Sequence, residues 1–565
     1  MFTCSWSVRL ALILATIVAG SNPQIALSDG TIVEGTIDGE VAKFRGIPFA
    51  TPPVGPLRWS PPQPWVNPNK GQVLDATRYG SMCTQYLWGH DDIGDLQGGS
   101  EDCLFLNVYV KLSADKTPSS VTDPQPVALW NHGGSYIEGS ASLFLYNGVE
   151  AVDYWSKNGK DGVILVTTNY RLGIFGFLGS EDLRPQDQEA GSTGNYGMQD
   201  QRMAMQWVQE NIGAFGGDAG RVTIFGESAG AWSMSNHLAM KRSWPFFQAV
   251  VLESGAFSEL ATFPMAQAQA VFDDVVLESG CTTAESVACL LDKSTHDILR
   301  LSKKNAFGYA AVADGVELTT HPWVAVAEGA IADVPVMQGS NSDEGAIFTF
   351  LPHDSLTEQG LTVYWASKGF SAVEIAELKA IYLSPEAVAS YPDWHDATVY
   401  WWAAERAFGD EIMSCPAKHA SQQISLSQKA QTRTSSAFLY YNDHTPRTAN
   451  VTRHVSEIPY VFHLAEYTRH PADREMADIV SSYWYEFFTH HSPNVNVAPV
   501  ETVAETETEA EMIPLLAPWT PYSTAADNLM HLTDPGQVNM GNNIKRGACD
   551  FFIRRIDSSI RTKFV

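Results

Sequence analysis

Six apolar runs punctuate the first four-fifths of the chain, and none of them alternates strictly with polar residues. They are PVALWNHGG from Pro126, GVILVTTNYRLG from Gly162, RVTIFGESAG from Arg221, FQAVVLESGA from Phe247, DVPVMQGSN from Asp333 and SSAFLYYND from Ser435. Continuous Val, Ile, Leu and Phe runs of this length read as strands buried on both faces, the pattern of a parallel sheet. Between them, GNYGMQDQRMAMQWVQENIGAFG and GAWSMSNHLAMKR place apolar residues at helical spacing. Strand and helix patterns in alternation predict an α/β fold with a mostly parallel central sheet and helices on both faces. No repeat period is visible. One segment breaks the pattern: Asn494 to Glu511, NVNVAPVETVAETETEAE, has no packing stripe and reads as a solvated acidic insertion. With no other linker, residues 21–565 read as one domain with large insertions.

The N-terminus adds an export signal. Arg9 precedes LALILATIVAG, Leu10 to Gly20, a run too short to span a bilayer and ending in small residues suited to cleavage. Residues 1–20 therefore read as a secretory signal peptide, with no transmembrane anchor expected later in the chain and a secreted product. Export changes the reading of the cysteines. Seven occur, Cys4 leaves with the signal, and an even six remain, which favours disulfides. Spacing suits Cys281 with Cys289 for a short loop and Cys83 with Cys103 for a medium one. Cys415 and Cys549 then tie back the C-terminal end, a closure of about 4–5 kcal/mol in the chain-entropy model. Spacing alone leaves the other connectivities open. Asn450-Val-Thr452 is a glycosylation acceptor. No C-x-x-C pair or H-E-x-x-H run suggests a metal, and no cofactor is expected.

The chain has 565 residues, and 36 Lys plus Arg against 64 Asp plus Glu give a formal charge of −28. That balance repels phosphate backbones and anionic membranes, so a nucleic-acid partner is not expected.

Chemistry enters with VTIFGESAGAWSM, Val222 to Met234. A G-x-S-x-G run occurs by chance in roughly one chain in five of this length, so the motif alone decides nothing. Its context does: a strand pattern before it and a helix pattern after it are what a nucleophile elbow needs, with Gly226 and Gly230 keeping bulk away from Ser228. LWNHGGSYIEG, Leu129 to Gly139, is the glycine-bearing loop that would supply oxyanion donors. An acid and a histidine should follow on loops after later strands. The acid is Asp343 or Glu344 and the histidine His444 or His454, and spacing does not choose within either pair.

Four stretches carry a family resemblance: FRGIPFATPPVGPLRW from Phe44, SEDCLFLNVY from Ser100, GAFGGDAGRVTIFGESAGA from Gly213 and GSNSDEGAIF from Gly339. In them the chain resembles a type B carboxylesterase, of the cholinesterase and lipase family of the α/β-hydrolase fold, nearly end to end from Thr31. The resemblance implies Ser228 as nucleophile, Glu344 as acid and His454 as base, the last on HVSEIPYVF from His454. It implies oxyanion donors at Gly134, Ser135 and Ala229, and Glu227 as a supporting acid near the histidine. It also implies disulfides Cys83–Cys103, Cys281–Cys289 and Cys415–Cys549, structural pairs Arg58–Glu101 and Arg171–Asp200, and a structural His444. The chain departs from the family pattern at Ser135, where a third glycine is usual, and at Val451, where a glycine usually precedes the histidine. A glycan on Asn450 would stand almost beside His454.

The expected activity is hydrolysis of carboxylic esters by a serine esterase, with small-molecule esters as partners. Alternatives are a lipase or sterol esterase, a cholinesterase-like enzyme, and a non-catalytic adhesion protein on the same fold. The Cys83–Cys103 segment, where lipase relatives carry a lid, has Leu87 and Trp88 but is otherwise acidic and glycine-rich, which favours soluble esters. Trp88 is not at the spacing of the family's choline-stacking tryptophan. The adhesion relatives typically lose the nucleophile, whereas Ser228 is present.

Overall fold

The computed structural model describes residues 22–564 apart from 70, 87–96, 113–123, 158–161, 283–284, 306, 448 and 495–515. The signal segment 1–20, Leu87 and Trp88, and all of the acidic insertion after Asn494 lie outside the described residues.

One 11-stranded sheet organises the chain. In chain order its strands are β1 (Thr36–Asp38), β2 (Val41–Pro48), β3 (Phe105–Lys111), β4 (Gln125–Asn131), β5 (Ile164–Thr168) and β6 (Gly217–Glu227). After them come β7 (Ala249–Glu253), β8 (Val336–Asn341), β9 (Ala437–Asn442), β10 (Asn528–Leu532) and β11 (Asn539–Asn542). Their spatial order is β11-β10-β9-β8-β7-β6-β4-β5-β3-β2-β1. The strands from β5 through β4, β6, β7, β8 and β9 to β10 pair in parallel. β3, β2 and β1 at one edge and β11 at the other pair antiparallel.

The six apolar runs are β4 to β9, the centre of the sheet, and their residues point into two separate cores. Val127 and Leu129 of β4, with Val222 and Ile224 of β6, join one core with Met198 and Leu238. The intervening Ala128, Trp130 and Phe225 join the other with Trp484, Phe487 and Phe488. The period of two is therefore intact, but both phases are apolar because helices cover both faces. On the first face lie α1 (Tyr196–Asn211) and α2 (Ala229–Ala239), the two helices expected from spacing. α3 (Val399–Gly409) and α5 (Arg546–Phe564) build a third core around Trp401, Trp402, Phe551 and Phe552, while α4 (Pro471–His490) covers the second face. The strands that hydrophobicity did not single out, β1 to β3, β10 and β11, lie at the sheet's edges. β11, NMGN, shows no buried residue, so it carries little apolar signal.

The disulfides are Cys83–Cys103, Cys281–Cys289 and Cys415–Cys549, the last joining the end of the third core to α5. Both expected ion pairs form in buried positions. Arg171 donates from Nε and Nη2 to Asp200 at 2.8 and 2.7 Å. Arg58 makes the same fork to Glu101 at 2.8 and 2.6 Å, and also donates to the carbonyls of Leu290 and Lys293. Removing one partner of such a fork leaves an uncompensated buried charge. Asp200→Ala should therefore destabilise the fold by about 3–5 kcal/mol, read as a lowered melting temperature at fixed scan rate; a melt matching the parent would contradict a buried charge at Arg171.

Candidate active site

β6 ends at Glu227 and α2 begins at Ala229, so Ser228 alone makes the turn between them. Its backbone sits at φ 57° and ψ −123°, a region that residues with a Cβ seldom occupy. The neighbouring glycines explain how the chain tolerates it. A Cβ on Gly230 would lie 2.1 Å from the carbonyl oxygen of Asn131, and one on Gly226 would lie 2.6 Å from the same oxygen and 2.8 Å from the Gly230 carbonyl carbon. The turn is anchored from the next strand, since Ser228 N–H donates to Glu253 O at 2.9 Å.

Asn131 also ends β4, and the loop after it packs against the turn. A Cβ on Gly133 would lie 2.8 Å from Glu227 O and 3.0 Å from Ser228 Cβ. Gly134, Ser135 and Tyr136 take left-handed backbones at φ 104°, 53° and 62°. Gly134 O accepts from the N–H groups of Ile137 and Glu138, closing the loop on itself. Among the described residues, none of the N–H groups of Gly134, Ser135 and Ala229 donates a backbone hydrogen bond. The serine in place of a third glycine thus keeps a backbone conformation that glycine would adopt more cheaply.

β8 and β9 deliver the remaining groups. His454 Nδ1 lies 2.5 Å from Glu344 Oε2, and Glu344 Oε1 accepts from Asn341 N–H at 2.6 Å. Of the two candidate acids and two candidate histidines, Glu344 and His454 are the pair that meets. Asp343 faces away, accepting from Arg406 at 2.8 Å and from Thr452 N–H at 3.2 Å. His444 is held between Asp473 and Asp534 at 3.0 and 3.2 Å. The Asp343 N–H in turn donates to Thr452 O, zipping the two loops together one residue before Glu344 and two before His454. Val451, at the departure from the expected glycine, is buried in the third core and pins the histidine loop there. Asn450 beside it is exposed.

The opposite ring nitrogen, His454 Nε2, lies 2.9 Å from Glu227 Oε1. At that distance the two groups form an ion pair whenever the ring is protonated. Burial disfavours charge on the ring, but Glu227 and then Glu344 outweigh it, holding the imidazole well above the ordinary histidine value. Burial likewise raises Glu227 above the usual carboxylate range, with the His454 charge opposing. Both shifts favour a proton retained between the two groups. The Phe348 ring stands edge-on to the imidazole at 5.1 Å.

Further acids behind the histidine escaped the sequence reading. Glu457 accepts from Ser254 Oγ at 2.6 Å and Asn341 Nδ2 at 2.5 Å, and burial with Glu344 and Glu227 nearby pushes it up to about 7. Glu253 accepts from Trp484 Nε1 at 2.6 Å and is raised well above the usual range by burial and Glu457. The signal for Glu457 was present, three residues after His454 in the quoted HVSEIPYVF. Glu253 is visible only through pairing, which sets it beside Glu227 on the adjacent strand.

The carboxylesterase family model matches residues 21–552. The chain belongs to the carboxylesterase family. It is 31% identical over 530 residues to an acetylcholinesterase of Bungarus fasciatus, covering 86% of this chain and 82% of that protein. It is 33% identical over 494 residues to a para-nitrobenzyl esterase of Bacillus subtilis (strain 168), covering 83% and 91%. A solved structure of a PNB esterase superposes with a TM-score of 0.72 at 26% identity, over 94% of this chain and all of that one. The fold is the α/β-hydrolase fold, and this carboxylesterase is a carboxylic ester hydrolase.

The carboxylate beside Nε2 is the largest influence raising the imidazole. Glu227→Gln, which keeps the shape and removes the charge, should move the His454 titration to lower pH when followed by proton NMR of the ring. An unmoved titration would mean that Glu227 carries no charge next to the ring.

Proposed function

We propose that the enzyme hydrolyses small carboxylic esters through a Ser228–His454–Glu344 triad and an acyl-enzyme. The observation that carries this reading is the ring held between Glu344 on Nδ1 and the Glu227–Ser228 turn on its other side. Neutral His454 accepts the Ser228 proton through Nε2 as Oγ attacks the ester carbonyl, and Glu344 orients the ring and stabilises the imidazolium. Reaching Oγ requires Nε2 to exchange its contact with Glu227 for the hydroxyl. The tetrahedral oxyanion is received by the N–H groups of Gly134, Ser135 and Ala229, which lie at or near a helix N-terminus and are free of backbone partners. His454 then passes its proton to the leaving alcohol, and water repeats the sequence on the acyl-enzyme. Glu227 adds a second carboxylate that stabilises the imidazolium formed in each step.

Residues 21–565 constitute this enzyme unit, with 1–20 removed on export. Secretion accords with three disulfides and with an exposed Asn450 in its acceptor motif. The exposed position leaves Asn450 accessible to a glycan at the side of the histidine loop.

Ser228→Ala should cut kcat for a nitrophenyl ester by about 10⁴-fold or more without changing the melt, and should abolish fluorophosphonate labelling. Labelling that persists would end the assignment. The base must be neutral, and its protonated form is favoured by two carboxylates. kcat/KM should therefore rise with pH along a limb centred above the ordinary histidine value. A limb at or below that value would show that the two carboxylates do not raise His454 in the free enzyme. A panel from acetate through oleate, with choline and sterol esters included, sorts soluble-ester, lipase and cholinesterase preferences.

A further inference from the structure

The loop proposed to hold the oxyanion is braced from outside by one buried amide. Gln85 Oε1 accepts from Gly139 N–H at 2.8 Å, and Gln85 Nε2 donates to Gly139 O at 2.8 Å. The same Nε2 donates to Cys83 O at 2.9 Å. An amide offers one acceptor and two donors, and here its three partners fix which end is oxygen. Gln85 is itself buried, so nothing from solvent replaces these bonds.

Gly139 is tightly placed for a second reason. At φ 113°, a Cβ there would lie 2.3 Å from His132 Nδ1 and 2.6 Å from Gly133 O. One end of the loop therefore rests on the other: Gly139 backs His132 and Gly133, and Gly133 backs Ser228 Cβ and Glu227. The His132 ring stacks on Tyr170 at 4.5 Å, and Tyr170 OH donates to His132 O at 2.8 Å. A shift at Gly139 has no slack to absorb it before it reaches Gly133.

Gln85 owes its position to the Cys83–Cys103 disulfide. Gln85 and Tyr86 pair with Gln97 and Gly98 as a short ribbon, and Cys83 bridges Ser100. Asn169 ties the same two segments together at the ribbon's base. It donates to Ser81 O and Cys103 O, while its Oδ1 accepts from Ala141 N–H at 2.9 Å.

We propose that Gln85 is a positioning residue for ester hydrolysis: held by the Cys83–Cys103 disulfide, it clamps Gly139 and so sets the place of the oxyanion-binding N–H groups. The proposal rests on the oxyanion reading of Gly134 and Ser135. Its consequence is that a residue on the disulfide loop controls transition-state binding without touching substrate. Displacing preorganised donors lowers kcat and leaves ground-state binding nearly unchanged.

Two isosteric variants test it in the full-length enzyme: Gln85→Met removes all three hydrogen bonds, and Gln85→Glu sets an anion against the carbonyls of Cys83 and Gly139. Both should lower kcat about 10- to 100-fold with KM within about twofold. Affinity for a trifluoromethyl ketone should fall by the same factor as kcat/KM, whereas affinity for the matching methyl ketone stays put. A variant that melts with the parent and keeps parent kcat, or that changes only KM, overturns the proposal. If the parent itself shows no preference for the trifluoromethyl ketone, the oxyanion reading fails and the brace loses its purpose with it. If the parent prefers it and the variants keep that preference, the brace alone fails. A measurement without variants also bears on it: the Gly139 amide should be slow to exchange in the unmodified enzyme, and exchange at open-loop rates overturns the clamp.

Discussion

Two backbones approach each other at the ends of β4 and β6 more closely than any side chain permits. The Asn131 carbonyl occupies space that a Cβ at either Gly226 or Gly230 would need. Because of that contact, α2 can begin immediately after β6, Ser228 is forced through an uncommon turn, and the loop after β4 lies against Ser228 and Glu227. The strain at one residue is held by parallel pairing on both sides, to β4 and to β7. In parallel sheets the strands' C-terminal ends share one edge, so each later strand end adds its loop to the same place. β8 contributes Glu344 and, after β9, the chain returns with His454.

Charge is the second organising constraint. Glu227, Glu253, Glu344 and Glu457 are all buried around one histidine. Four carboxylates so placed cannot all ionise, and three of them are raised by burial. Glu227 and Glu344 favour the protonated form of the histidine and raise it above its ordinary value. Hydrogen bonds from Ser254 and Asn341 hold Glu457, and one from Trp484 holds Glu253. The arrangement poises the imidazole toward its protonated form, with a carboxylate at each ring nitrogen.

Much of this was legible in residue order. Unbroken apolar runs marked the six central strands because both faces are covered, and glycines flanking Ser228 marked the turn because only they fit. β1 and β11 were illegible for the converse reason: short and without a buried residue, they lack the apolar content that pattern reading needs. Asp343 and Glu344 are adjacent and chemically alike. Arg406, sixty-three residues on, and the Thr452 N–H separate them by drawing one away. His444 and His454 are likewise told apart by Asp473, which claims the first.

The sequence by itself determined the layered α/β architecture, the serine turn and the candidate acids Asp343 and Glu344 and histidines His444 and His454, since these depend on local pattern and residue size. The tertiary structure decided which acid meets which nitrogen, how Gln85 reaches Gly139 across the disulfide loop, and how four carboxylates share one buried site. Those outcomes depend on distances between segments far apart in the chain, and no local pattern encodes a distance.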